Sequence, residues 1–380
     1  MLASGRASPS AQQAAKPQVT LNETLISRNL VRMPSTLRNV LAIRLSSIGD
    51  IVHALPAVSA LGETYPEAEI TWAIERRYVG LLEGNPFVRR VIPLDTLGWR
   101  KRFASAQTLR EIAAAFRALR ERHFDAVIDF QGLLKTGLIS RLCRSPRRIG
   151  YAKTPHREPG VGLFYTEEAR AVAGTHVIYE NLALVERLGA RASSWKFPLP
   201  QNVDDEKYAE SSLSETGDFI LISPGGGWVA KLWPPASYTA LVARISRCAP
   251  LAAFAIVLTG SPAEETNIRM ILENAGGKRA YYVPATLSQY IALARRARLF
   301  IGSDTGPMHL AAALGVPVVA LMGPTDPARN GPFSPADIAL STRAPVNHTR
   351  RSKAPRFLEG ISVDDVIAAA EQRMARVHAG

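Results

Sequence analysis

The chain is expected to form an α/β protein of two successive doubly wound halves, each a parallel sheet covered by helices. Three observations predict this. Short apolar runs suited to buried strands alternate with segments of helical period. The alternation stops at a polar stretch, Gln201 to Gly217, and begins again beyond it. Several strands run straight into loops of glycine, hydroxyl and acidic residues that open a helix, as alternating β and α elements do around a parallel sheet.

Residues 1 to about 37 are rich in Ala, Ser, Gln and Pro and carry no periodic apolar pattern. They are expected to be disordered, or an artefact of start-site choice, since Met33 lies just before the first strand. Val40 to Leu45 then reads as a buried strand. A helix follows from Asp50, with Ile51, Leu55 and Val58 on one face. Strands are expected at Ile70 to Ile74 and Val91 to Leu94, and a helix from Thr108 to Arg122 on the stripe Ile112, Phe116 and Leu119. Ala126 to Phe130 is a further strand, Leu134 to Leu142 a helix and Arg148 to Tyr151 a short strand. The second half opens with a strand at Phe219 to Ser223 and a helix from Pro235 to Cys248. A strand at Phe254 to Leu258, a helix after Pro262, and strands near Tyr282, Leu299 and Val318 to Leu321 continue it. A helix from Val363 to Val377 closes the chain.

Composition narrows the class. The 380 residues suit two or three domains, and 47% hydrophobic with 21% charged residues is ordinary for a core-forming protein. No apolar stretch approaches the ~20 residues of a membrane-spanning helix. The first residues show no cationic cluster followed by an apolar run, so no secretory signal is expected. Cys143 and Cys248 stand far apart and form neither a disulfide framework nor a metal pattern. A net charge of +13 calls for an anionic partner. Nucleic acid is not expected, because no aromatic residues interleave the cations as stacking platforms.

Three loops carry the chemistry. In Ile301-Gly-Ser-Asp-Thr-Gly-Pro-Met-His-Leu310, a strand end becomes a helix start, bringing amides, a hydroxyl and the Asp304 carboxylate together. That suits a diphosphate, and equally Asp304 or Thr305 as a simple helix cap. In Arg44-Leu-Ser-Ser-Ile-Gly-Asp50, Gly49 allows a tight turn. Asp50 is there either a general base or an N-cap. In Pro224-Gly-Gly-Gly-Trp-Val-Ala-Lys231, glycines let phosphate oxygens approach the backbone and Lys231 supplies a charge. The alternative is a flexible turn with an exposed lysine. Glu264, at another strand end, is either a ribose acceptor or a cap. No GxGxxG or Walker loop occurs, and no Asp-x-Asp pair or metal-ligand spacing, so neither cofactor nor metal is expected.

Taken together, Arg44-Leu-Ser-Ser-Ile-Gly-Asp-Ile-Val-His-Ala-Leu-Pro56, Asp125-Ala-Val-Ile-Asp-Phe-Gln-Gly-Leu-Leu-Lys135, Ser303-Asp-Thr-Gly-Pro-Met-His309 and Gly323-Pro-Thr-Asp-Pro327 resemble the ADP-heptose:lipopolysaccharide heptosyltransferases. Order and spacing agree from about residue 38 to 375, and Trp99-Arg-Lys101 with Arg157-Glu-Pro159 is most similar to the heptosyltransferase I group. The resemblance implies a GT-B fold, two Rossmann-like domains facing across a cleft. Residues 38–200 would bind acceptor and 218–345 nucleotide sugar, with 201–217 a linker and 346–380 returning to the first domain. It implies inverting transfer of L-glycero-D-manno-heptose from ADP-heptose to a Kdo residue of Kdo-lipid A, or a related GT-B transfer with another sugar or acceptor. Asp50 matches the catalytic base. Ser47, Gly49, Gly226, Lys231, Glu264, Asp304, Thr305, Gly306 and His309 match nucleotide-sugar positions, and Arg100, Lys101, Arg102, Arg141 and Arg157 acceptor positions. A cytoplasmic enzyme held peripherally on the anionic inner-membrane surface is expected. The chain departs from the family pattern at Gly225-Gly-Gly227, where relatives carry hydroxyl residues.

Overall fold

The computed structural model describes residues 37–153, 157–170, 172, 174–277, 279–342 and 357–378. All but Leu37 of the expected extension, and the start of the segment 346–380, lie outside these residues. The first half runs β1 (Asn39–Ile43), α1 (Ile48–Thr64), β2 (Glu69–Glu75), β3 (Val88–Leu94), α2 (Thr96–Lys101) and α3 (Ala106–Arg120). It continues with β4 (Ala126–Asp129), α4 (Leu134–Leu142), β5 (Arg147–Tyr151), β6 (Glu167–Ala169) and α5 (Val177–Glu186). Then α6 (Val203–Ser212) leads into the second half, β7 (Phe219–Ser223), α7 (Pro235–Ile245), β8 (Ala255–Leu258), α8 (Glu265–Ala275) and β9 (Ala280–Tyr282). The chain ends through α9 (Leu287–Ala294), β10 (Leu299–Ser303), α10 (Gly306–Ala313), β11 (Val318–Met322), α11 (Pro327–Asn330), β12 (Ile338–Ser341) and α12 (Val363–His378).

Both sheets have the same plan. The first is ordered β3-β2-β1-β4-β5-β6, and the second, read from its far edge, β9-β8-β7-β10-β11-β12. Every described pairing is parallel, with Val40 opposite Ala126 in the first sheet and Leu299 opposite Ile220 in the second. Strand order therefore reverses between β1 and β4, and again between β7 and β10. In open α/β sheets, ligands bind beyond the carboxyl ends of the strands at such a switch point.

Strand periodicity assigns each side chain to a layer. Val40 and Ala42 face the helices between the sheets, while Leu41 and Ile43 face outward toward Leu119 and Phe124. Phe219 and Leu221 likewise point inward, and Ile220 and Ile222 outward toward Tyr238, Leu241 and Ile268. One continuous apolar cluster thus joins the inner layers of both halves, and each sheet has its own outer cluster.

Two expectations are corrected, and some elements are added. The polar stretch 201–217 contains α6, which buries only Ala209 and so shows no apolar period. That helix is held instead by the Asn202 side chain, which accepts from the Asp204 amide at 2.8 Å, and by Glu206 pairing with Arg295 at 3.1 Å. The last helix does not return to the first half. Val366, Ile367, Ala370 and Met374 join the outer cluster of the second sheet, and Arg373 donates to Asp337 at 2.8 Å. Its apolar stripe needs an apolar floor, and the outer face of β10, β11 and α7 provides one. Finally α5, α9 and the edge strands β6 and β12 had no place in the sequence reading, the helices being too uniformly apolar for a clear period and the edge strands too short.

Candidate active site

The β1–α1 turn sits at the first switch point. Arg44, nearly buried, is anchored through its Nη1 to the Phe130 carbonyl at the end of β4 and pairs through Nη2 with Asp50 Oδ1. The amide of Ser47 donates to Asp50 Oδ2 at 3.0 Å and its hydroxyl at 2.8 Å. Ser47 therefore orients Asp50, where the sequence reading had it touching the donor. The Asp50 side chain keeps 34% exposure, so one edge of the carboxylate faces the cleft. Burial pushes its carboxyl up, but the Arg44 guanidinium, the two Ser47 donors and the charge of Arg157 outweigh this and bring it from 3.8 to about 2.

A prediction follows for pH. In the intact protein Asp50 stays ionised down to about pH 2, so kcat/KM is expected to show no limb at the ordinary carboxylate value. Arg44→Met removes the main lowering charge and leaves the burial, so the Asp50 limb is expected to move upward. A kcat/KM profile of the two proteins checks this; identical profiles would mean that Arg44 does not set the Asp50 charge.

The second switch point is more crowded. Asp304, 2% exposed, accepts from Lys231 Nζ at 2.5 Å, bonds His309 Nε2 at 3.0 Å and accepts from the Thr325 hydroxyl. Burial again opposes ionisation, but Lys231 and His309 hold the carboxyl far below the usual range. Lys231 also donates to the Asp304 carbonyl at 3.1 Å. Two of the ammonium's three N–H groups are thus engaged and one remains. Asp304 is accordingly the organiser of the loops after β7, β10 and β11, not a free acceptor for ribose.

Close approaches hold the other loops in place. A Cβ on Gly225 would lie 1.7 Å from Glu264 Oε1, and one on Gly226 would lie 2.7 Å from Thr305 Cγ2. A side chain at Gly225 would displace the carboxylate end of Glu264 and one at Gly226 would push the Thr305 methyl aside, whereas a Cβ on Gly227 would meet nothing within 4 Å. Glu264 caps its own turn, accepting from the Ser261 amide and hydroxyl at 2.7 Å each. Thr305 makes no side-chain cap to α10, so its hydroxyl does not satisfy the amides of the first turn.

The two halves meet at these helix starts. A Cβ on Gly49 would stand 2.2 Å from His309 Cδ2, and one on Gly306 would stand 2.9 Å from Ile48 Cδ1. Asp50, from one half, is therefore one residue from direct contact with the start of α10 in the other. His53 and His176 complete the seam: the His53 ring lies 4.6 Å from that of His309 and 5.0 Å from that of His176. His176 Nε2 bonds the Gly331 carbonyl across the seam at 2.9 Å. Burial first, then the neighbouring His309 and His176, keeps His53 well below its ordinary value and neutral. Sequence reasoning missed this histidine seam, since no two of the three lie close in the chain.

The predicted acceptor residues separate. Arg100, Lys101 and Arg102 are exposed at the end of α2, with Arg102 paired to Asp95 at 3.0 Å. Arg141 is exposed on α4. Arg157 has internal partners: its side chain is 8% exposed, stacks over Tyr151 at 3.8 Å and pairs with Glu180 at 3.1 Å. Glu180 is held in turn by Arg329 of the second half, through two bonds of 2.9 Å. Arg157 also donates to the Gln131 carbonyl at 3.2 Å, beneath Gly132 at φ +68°, where a Cβ would meet its Cδ at 2.6 Å. It supports the β4–α4 turn and lines a cavity with Tyr151, Lys153 and Glu158. Neither Arg44 nor Glu180 was read from the sequence as a partner; Arg44, directly before the Ser-Ser-Ile-Gly-Asp turn, was the available signal.

Residues 112–357 match the family model described as glycosyltransferase family 9 (heptosyltransferase). The chain belongs to this family. It is 30% identical over 318 residues to lipopolysaccharide heptosyltransferase 1 of Pseudomonas aeruginosa, covering 80% of this chain and 84% of that one. It is also 23% identical over 336 residues to lipopolysaccharide heptosyltransferase 3 of Escherichia coli, covering 85% and 94%. Among solved structures it is similar to the E. coli heptosyltransferase WaaC with ADP-2-deoxy-2-fluoro heptose, at a TM-score of 0.69 and 25% identity over 88% of this chain and 99% of that one. The chain is thus a glycosyltransferase of the heptosyltransferase family with the GT-B architecture, as its motifs implied.

Proposed function

We propose that this chain transfers heptose from ADP-heptose to a Kdo residue of the lipopolysaccharide inner core, with inversion at the anomeric carbon. The carrying observation is the seam itself. A carboxylate at one switch point, Asp50, is one residue from contact with the helix start and lysine loop at the other.

ADP occupies the second half in this reading. The α10 amides at Thr305-Gly306 and the remaining N–H of Lys231 meet the diphosphate, while Glu264 borders the loop from the far side. His309 holds Asp304 and sets how closely Gly49 approaches. The acceptor oxygen attacks the anomeric carbon from the face opposite ADP, the bond from that carbon to the β-phosphate oxygen breaks, and ADP leaves with the electron pair. The hydroxyl proton passes to Asp50. A carboxylate of such low basicity takes that proton late, once the new C–O bond has made it acidic. Until then its charge faces the developing oxocarbenium ion. Positive groups meet the leaving diphosphate. Arg100, Lys101, Arg102 and Arg141 meet the carboxylates and phosphates of the acceptor, where the planar guanidinium favours bidentate contacts.

Among the described residues no helix is long and apolar enough to cross a membrane. ADP release from ADP-heptose, with and without Kdo-lipid A and in EDTA, tests the assignment. Acceptor-dependent release is expected. Release only with an acceptor already carrying heptose would reassign the chain to a later step, and absence of ADP binding would overturn the donor site.

A further inference from the structure

The helix α4 is built inside out. Its buried face is Thr136, Gly137, Ile139 and Ser140, while Leu134 and Leu138 are 46% and 47% exposed. A helix packed on a sheet normally buries its leucines and exposes its small polar residues. Here Lys135 and Arg141 share the outer side with those leucines, so the exposed surface is both apolar and cationic.

The surface continues on both sides. Lys135 Nζ donates to Thr96 Oγ1 at 3.3 Å, tying α4 to α2. Beyond α2, Phe103 is 77% exposed next to Arg100, Lys101 and Arg102. On the other side the single helical turn Val161–Phe164 packs on Gly137, where a Cβ would meet Phe164 at 2.7 Å, and its Leu163 is 89% exposed. All three elements follow carboxyl ends of first-sheet strands, the end at which Asp50 lies. The nearest acids do not cancel the cations. Asp95 and Glu111 face Arg102, Glu158 accepts the Leu134 amide at 2.6 Å, and Glu168 borders Gly162. Arg100, Lys101, Lys135 and Arg141 remain in excess.

We propose that the α2–α4–Leu163 face docks on an anionic phospholipid bilayer, with Phe103, Leu134, Leu138 and Leu163 entering the interface and the four cations meeting phosphates at its surface, those of a lipid-linked acceptor among them. Leu134 and Leu138 lie one turn apart on α4 among Lys135 and Arg141, and Phe103 directly follows three cations. That pattern suits a charged interface, whose binding grows with buried apolar area and with electrostatic attraction; a protein partner would require a continuous apolar centre. Docked this way, the cleft mouth lies at the membrane, where a lipid-linked acceptor would present its sugar. The purpose of the surface rests on the proposed acceptor, but its geometry does not.

Flotation of the full chain with phosphatidylglycerol vesicles and with phosphatidylcholine vesicles tests it, comparing wild type with the combined Leu134→Ser, Leu138→Ser and Leu163→Ser variant. Wild type is expected to float with the anionic vesicles and weakly with the neutral ones. The variant is expected to lose roughly tenfold or more in partitioning while its ADP affinity and melting temperature are unchanged. Should that variant fold poorly, Phe103→Ser alone, in an exposed position, is expected to lose binding by several-fold. Equal flotation of wild type and variant, no flotation of wild type, or no preference for anionic vesicles would overturn the proposal. No donor is needed, so a chain that floats as expected yet releases no ADP would leave this surface standing and remove the heptosyltransfer reading.

Discussion

Replacing Asp50 by asparagine is expected to lower turnover about a thousandfold and to change ADP affinity no more than a few-fold. The carboxylate lies in the first half, held by Arg44 and Ser47 of its own turn, and none of these hold the ADP site. Asparagine keeps the volume and still accepts from Ser47 through its Oδ1. What it loses is the negative charge facing the reacting carbon and the place where the acceptor proton goes. Single-turnover rates with ADP-heptose and acceptor, set beside ADP titrations, separate the two effects. If ADP affinity falls with turnover, Asp50 is holding the seam at Gly49 and His309, and its chemical role is lost.

Lys231→Met is expected to affect both stability and donor binding. Asp304 is nearly wholly buried, and removing one partner of such a pair leaves a charge in a low-dielectric site, a loss of about 3 kcal/mol. Thr325 and His309 still contact the carboxylate and limit the damage. ADP affinity falls as well, because the remaining ammonium N–H goes with the side chain. The double variant Lys231→Met with Asp304→Asn separates these roles: neutralising the stranded carboxylate is expected to restore most of the melting temperature and none of the ADP affinity. Recovery of both would make Lys231 purely structural.

The four quoted motifs and the β/α alternation placed the two sheets, the switch-point loops and the residues at the cleft, because those features are local. A strand needs a short apolar run, a phosphate-type loop needs glycine after it, and a helix start needs small or acidic residues. Asp50, Lys231, Thr305 and His309 all lie on such loops or in the first turn of the helix that follows. Sequence alone left open what each side chain faces. Asp304 was read as a candidate acceptor and is a buried hub. Arg157 was read as an acceptor ligand and is locked between Tyr151 and Glu180. Ser47 was read as a donor contact and orients Asp50.

These differences share one physical reason. Local pattern determines which backbone a segment forms, but the partner of a charged side chain is set by whichever group, from any part of the chain, the closed core brings within reach. Arg329 lies 149 residues from the Glu180 it holds, and Lys231 lies 73 from Asp304. The last helix shows the same limit. Its apolar stripe was legible, while the surface it covers depended on which sheet face α7 and β11 left apolar. The sequence by itself thus determined the α/β alternation and the motif loops; only the tertiary structure decided how those loops pair across the seam, because long-range pairing leaves no periodic trace in the chain.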